Sequence, residues 1–282
     1  MLNRRLLIIA TATLPLLAGT ASSQSLPDHV TIATEGAYAP WNYTNADGTL
    51  AGYEIDLAKL LCERMKVKCD IVPQEWSGII PGLTVGKYDA ILASMGVTEE
   101  RKKVVAFSKP YAKAPNGFLT SSENPMKDLP DAGKSFDLAK DPKDAEAALG
   151  VLKSKLSGKV VGVQTGSTAA TFVAQYMKGA DIREYPSFEQ LSLELNAGRI
   201  DLAVANVTAF KAAIDQSKGS LVFTGPTFSG GVLGLGTTNV ALRQRDEALK
   251  KAFDDAITSI DKDGTNKVLT EKWFGVDISI HE

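Results

Sequence analysis

The residues best placed for chemistry lie in one stretch, DAILASMGVTEERKKVVAFSKPY, residues 89–111. Arg101 stands just past a bend of small residues, Ala93, Ser94 and Gly96, which leave room for a partner to approach. A guanidinium with open space before it can grip a carboxylate through two parallel charge-assisted bonds. A surface arginine paired with Glu99 or Glu100 is the alternative, and spacing alone does not exclude it. Gly166, Ser167 and Thr168 follow a strand pattern and open a helix, so their backbone N–H groups can share the same anion. Ordinary capping by Ser167 uses the same geometry. Trp76 begins an apolar helical repeat and is either core or a platform for a flat or cationic group. Glu35 follows the first strand, where its carboxylate suits a distal ammonium or guanidinium, or is a solvated loop acid.

The rest of the composition excludes more than it adds. Net charge is −2 with acids and bases interspersed, which argues against nucleic acid as a partner. His29 and His281 are the only histidines and sit near the ends of the mature chain. Ser–His, Cys–His and His–metal chemistry are therefore poorly supported, and no metal or cofactor is expected. The first residues carry two arginines, an apolar run at 6–17 and then small residues. That is the layout of an export signal over 1–23, cleaved near Ala21 to Ser23. A retained anchor is the alternative, although Pro15 interrupts the run and no later apolar run is long enough to span a bilayer. In an exported chain the two cysteines, Cys62 and Cys69, favour a disulfide.

The elements that must position these residues alternate. Strands are expected at 30–34, 69–72, 88–94, 159–163, 182–185, 200–205 and 240–242. Leu57, Leu60, Leu61 and Met65 fall at helical spacing, as do Trp76, Ile79, Ile80 and Leu83. Further helices are expected from Thr168, from the capping pair Ser187 and Gln190, from Asp246, and from Gly264. This alternation predicts a mostly parallel α/β sheet. Residues 121–144 are rich in Pro, Asp, Ser and Lys, and a surface helix follows at 145–156; the segment reads as an insertion or flap outside the core. Residues 225–238 are glycine-rich without a phosphate-loop pattern and suit a return crossing.

The chain also repeats itself. Shifted by 112 positions, Trp76 falls on Phe188, Leu83 on Leu195, Gly86 on Gly198, Asp89 on Asp201 and Ser94 on Asn206. Either two αβ units look alike by chance, or the chain has two lobes of similar topology. In the second case Ser94 and Asn206 end equivalent strands, and ligands of open α/β sheets bind beyond such ends.

In sequence order, GYEIDLA at 52–58, WSGIIPGL at 76–83, KYDAILASMGVTEERKKVVAFSKPY at 87–111, VGVQTGST at 161–168, AGRIDLAVAN at 197–206 and DGTNKVLTEKWFG at 263–275 resemble the periplasmic amino-acid-binding proteins of ABC importers, solute-binding protein family 3. The pattern is similar to the branch that binds lysine, arginine, ornithine and histidine and to its octopine- and nopaline-binding relatives, whose disulfide Cys62 and Cys69 match. The resemblance implies an α/β, two-lobed periplasmic binding protein of type II, with two hinge crossings and ligand in the inter-lobe cleft. Lobe one would comprise 26–113 and 231–282, and lobe two 114–230, with crossings near 111–117 and 227–234. It further implies a monomeric periplasmic protein that delivers an amino acid or opine to a membrane permease.

By position in the family, Arg101 would be the carboxylate clamp, Trp76 and Tyr38 the two aromatic walls, and Ala93, Asn116 and Gln164 further ligand contacts. Two departures bear on the ligand. Asn206 stands where the basic-amino-acid binders have an Asp for the α-ammonium, and Gly96 where many relatives carry a hydroxyl. Both favour a bulkier ligand with a substituted amine and a second carboxylate, as in an arginine-derived opine. A dehydratase on the same fold, similar to cyclohexadienyl dehydratase, is the competing expectation, with Glu35 as its one acid/base candidate.

Overall fold

The computed structural model describes residues 25–281; the expected export signal lies outside them. Two sheets organise the chain. The first has the order Lys68–Pro73, His29–Thr34, Ala90–Ile91, Thr237–Leu242, Ala106–Lys113. Its first three strands are parallel and the other pairings antiparallel. The second begins Asp181–Tyr185, Val160–Gln164, Leu202–Asn206, Asn116–Ser121, Leu221–Ser229, again three parallel strands followed by antiparallel pairings. Each sheet is mixed where strand–helix alternation predicts mostly parallel pairing. The reason is that the chain leaves the first sheet at 114–115 and returns at 230–236, and the strand entered after each crossing, Asn116–Ser121 or Thr237–Leu242, runs against the parallel set. Pairing of Thr227–Ser229 with Ser135–Asp137 keeps the start of the expected return crossing inside the second sheet.

The repeat has a physical basis. Trp76–Thr84 and Phe188–Asn196 are both nine-residue helices that start at equivalent positions. Gly86 and Gly198 follow them with φ of 81° and 69°, a left-handed conformation that glycine adopts without a Cβ penalty. Asp89 Oδ2 then accepts the Thr31 N–H at 2.9 Å, and Asp201 Oδ2 accepts the Val160 N–H at 2.9 Å. In each sheet one carboxylate satisfies a backbone donor of the adjoining parallel strand.

The disulfide Cys62–Cys69 is present, with Cα atoms 6.2 Å apart, and ties the helix Tyr53–Met65 to the strand Lys68–Pro73. Trp41, Tyr53, Tyr111 and Phe274 form a buried aromatic cluster in the first lobe. The segment from 121 to 157 differs from its expectation as a flap. Ser135–Asp137 is an edge strand of the second sheet, and the helix Pro142–Leu156 buries Ala145, Ala148, Leu149, Leu152 and Leu156. These residues recur three and four apart, an amphipathic stripe that a polar composition disguises. No helix among the described residues is long and apolar enough to cross a membrane.

Removing the Asp201 carboxylate strands the Val160 N–H and also the Asn124 Nδ2 that reaches Asp201 Oδ1 at 3.1 Å. Asp201→Ala should therefore lower unfolding free energy by about 1–3 kcal/mol. An unchanged urea midpoint and slope would remove this carboxylate from the account of the second sheet.

Candidate ligand-binding cleft

Residues at the carboxyl ends of strands from both sheets converge on one cavity. Glu35 follows His29–Thr34, Ser94 follows Ala90–Ile91, and Gln164 and Asn206 end their own strands. Of the thirteen expected contact residues, twelve line this cavity: Gly166 is the exception. Its φ of 68° instead accompanies a carbonyl that accepts from Arg101 Nη2 at 3.4 Å.

Arg101 belongs to a short turn, Glu99–Lys102, capped by Thr98, whose Oγ1 accepts the Arg101 N–H at 3.2 Å. Both neighbouring acids are engaged elsewhere, Glu99 with Lys102 at 2.7 Å and Glu100 with Lys103 at 2.6 Å. Arg101 itself donates to the Gly96 carbonyl at 2.9 Å and lies over the Trp76 ring at 5.2 Å. Among the described residues no carboxylate pairs with it. Desolvation pulls its pKa down to about 10, so it stays cationic at neutral pH. Trp76 thus serves as a platform for this guanidinium while also lining the cavity.

Glu35 is 8 % exposed and accepts from Gln164 Nε2 of the second lobe at 2.6 Å. Burial pushes its pKa up to about 7; the Gln164 bond opposes this and the charge of Glu54 adds to it. Tyr38 is raised as well, first by burial and then by Glu35, and packs on Phe188 with ring centroids 5.0 Å apart.

Ser94 has a φ of 48°, rare for a residue with a Cβ. Its Oγ meets Asn206 Nδ2 at 3.3 Å across the cleft, so the two repeat-equivalent residues touch. Asn206 Oδ1 accepts from both the N–H and the Oγ1 of Thr208, at 3.1 and 2.8 Å, capping the helix Val207–Gln216. A peptide N–H can only donate, so the amide orientation is fixed and its NH2 faces the cleft. Ser167 similarly caps Thr168–Tyr176, its Oγ accepting the Ala170 N–H at 3.1 Å, while lining the cavity.

Gly96 has no positive φ, and a Cβ there would meet nothing closer than the Thr237 carbonyl at 3.7 Å. Glycine is therefore not demanded by the backbone; it leaves space. Leu233 of the return crossing and Thr237 and Thr238 at the start of the strand it leads into also line the cavity. They escaped the sequence reading because a glycine-rich crossing does not reveal which side chains face inward. Trp41 escaped it too: its Nε1 donates to Thr208 Oγ1 at 2.8 Å, joining the first-lobe aromatic cluster to the second lobe. The lining contains no His or Cys, and no cluster of potential metal ligands occurs among the described residues.

Residues 30–276 match the family model described as bacterial extracellular solute-binding proteins, family 3. The octopine-binding periplasmic protein of Rhizobium meliloti is 42% identical, over 98% of this chain and 100% of the relative. The L-arginine-binding protein of Pseudomonas aeruginosa is 34% identical over 88% of this chain and 89% of the relative. Among solved structures, an ancestral arginine-binding protein bound to arginine is similar with a TM-score of 0.73 and 31% identity, over 89% of this chain and all of that one. An ancestral amino-acid-binding protein described as a precursor of cyclohexadienyl dehydratase is similar with a TM-score of 0.70 and 28% identity, over 88% and 95%. The named relatives are binding proteins, not enzymes. With a two-lobed type II periplasmic-binding fold, strand ends converging on one cleft and a family match over residues 30–276, this protein belongs to the bacterial extracellular solute-binding proteins, family 3.

Proposed function

We propose that the cavity binds an arginine-derived opine of the octopine or nopaline type in preference to a free basic amino acid. Proteins of this family are the substrate-binding components of ABC importers. The observation that carries the ligand assignment is the orientation of Asn206: it offers the cleft an N–H donor and no charge. A primary ammonium needs acceptors at that position, whereas a secondary amine flanked by a second carboxylate gains from a donor there. Arg101 would clamp one carboxylate, the Thr168 helix start would support it, and Glu35 would face the guanidinium. The space beside Gly96 would take the additional carboxylate-bearing branch. The octopine-binding relative supports the same ligand class.

The leader pattern and the periplasmic relatives support a periplasmic protein, which on this reading acts as a monomer and hands its ligand to a membrane permease. Lobes of 26–113 with 231–282, and of 114–230, would close on the ligand by hinge motion, the ligand stabilising the closed form through contacts made only there.

A thermal-shift panel of octopine, nopaline, arginine, lysine, ornithine and histidine tests the assignment. A ligand at about 100 times its Kd adds roughly 2.7 kcal/mol of stability, and the opines should protect at the lowest concentrations. Protection by the free amino acids alone would overturn the opine assignment. Arg101→Ala should weaken every ligand about 10- to 100-fold, and full affinity in that variant would sink the clamp. Gly96→Ser fits the backbone, fills the space beside Arg101, and should weaken an opine about tenfold or more while sparing arginine, as read by calorimetry.

Glu35 supplies a pH test. A carboxylate raised from 4.5 to about 7 in the closed cleft loses its charge as pH falls through that window, and with it the attraction for a cation. Affinity for arginine or octopine should therefore decline as pH is lowered from 8 toward 4.5. In Glu35→Gln affinity should be lower at pH 8 and the decline largely gone; a wild-type slope in that variant would assign the titration to another group.

A further inference from the structure

We infer that Glu54, which lies outside the cavity lining, is a positioning residue for it. The inference rests on the reading of the cavity as a ligand site. Glu54 is the second residue of the helix Tyr53–Met65 and has no exposed surface, and a first-turn acid sits favourably at the positive end of a helix. Its Oε1 accepts the Ser94 N–H at 2.6 Å and the Tyr111 hydroxyl, while Oε2 accepts Asn42 Nδ2 at 2.6 Å. Asn42 Oδ1 accepts the Gly36 N–H at 2.7 Å in turn. One carboxylate therefore holds the backbone of Ser94 directly, and through Asn42 the residue next to Glu35.

What it holds is a strained bend. Left-handed backbone is disfavoured for serine and persists where surrounding contacts over-determine it. The Ser94 N–H anchored on a buried carboxyl oxygen is such a contact. The trans peptide sets the Ala93 carbonyl antiparallel to that N–H, so it points away from Glu54. Both Ala93 and Ser94 line the cavity, and Ser94 Oγ is the group that meets Asn206. Tyr111, the third donor, sits on the strand that leads into the crossing at 114–115, so the same carboxylate joins the cleft wall to the crossing strand.

Glutamine at this position separates positioning from bulk stability. Its carbonyl can accept from Ser94 and Tyr111, but its NH2 then faces the Asn42 NH2. Asn42 cannot turn over without losing the Gly36 N–H. Asn42→Asp in the same chain gives both donors an acceptor and returns one negative charge to the cluster.

The experiment measures arginine and octopine affinity by calorimetry for the wild type, Glu54→Gln and the Glu54→Gln/Asn42→Asp double variant. It also records the Ser94 amide proton by NMR in ligand-free wild-type protein. Glu54→Gln should bind about tenfold or more weakly, and the double variant should return to within about threefold of wild type. The Ser94 amide proton should be strongly downfield and slow to exchange. Wild-type affinity in Glu54→Gln, a folded double variant as weak as the single, or an ordinary Ser94 amide signal would each overturn the inference. Where Glu54→Gln does not fold, the double variant and the amide signal decide. A wild type that binds neither ligand would instead count against the ligand reading, and the amide signal still tests the anchor.

Discussion

A guanidinium taken partly out of water needs an anion, and Arg101 has none among the described residues. Its donors go to the Gly96 and Gly166 carbonyls and its face to Trp76, while the two adjacent acids are paired with lysines. Carbonyls and an aromatic face orient the group without neutralising it. A purely structural arginine would be expected to use the nearest carboxylate. The arrangement keeps a charge in reserve, and the surrounding elements are organised so that a carboxylate can reach it from the cleft.

Between the lobes in this arrangement, hydrogen bonds join Gln164 to Glu35, Asn206 to Ser94, Trp41 to Thr208 and Arg101 to Gly166, and Tyr38 packs on Phe188. A net hydrogen bond is worth about 1 kcal/mol, and closing the lobes also removes Glu35 from water. A ligand that answers Arg101 and Glu35 at once offsets the desolvation that closure imposes, which is how differential contact becomes a shift in population.

Much of this was legible in the residues. The 112-residue shift pairs Ser94 with Asn206, and those two touch. Asp89 and Asp201 repeat because each satisfies a backbone donor, a need local enough to leave a sequence mark. Other features are set by partners distant in sequence. The helix Pro142–Leu156 read as surface because small and charged residues surround its stripe, although that stripe packs into the second core. The Trp41 contact depends on closure over 167 positions. Asn206 was identifiable, but its orientation depends on Thr208, two residues on, and an Asn-x-Thr spacing before a helix was the unused signal.

The two buried acids are not equivalent, and their difference indicates the polarity of the ligand. Glu54 receives three donors, which oppose the burial that raises its pKa to about 7, and its work is to hold backbone. Glu35 receives one, from Gln164, and burial raises its pKa to about 7. A carboxylate at that pKa with one hydrogen bond is under-solvated, and a cation would repair it. Arg101 is under-neutralised in the opposite sense. No ion pair joins the two, although both line the same cavity. The molecule that satisfies both must carry an anion and a cation far enough apart to reach each. Asn206, on the same lining, has a hydrogen bond to give but no charge.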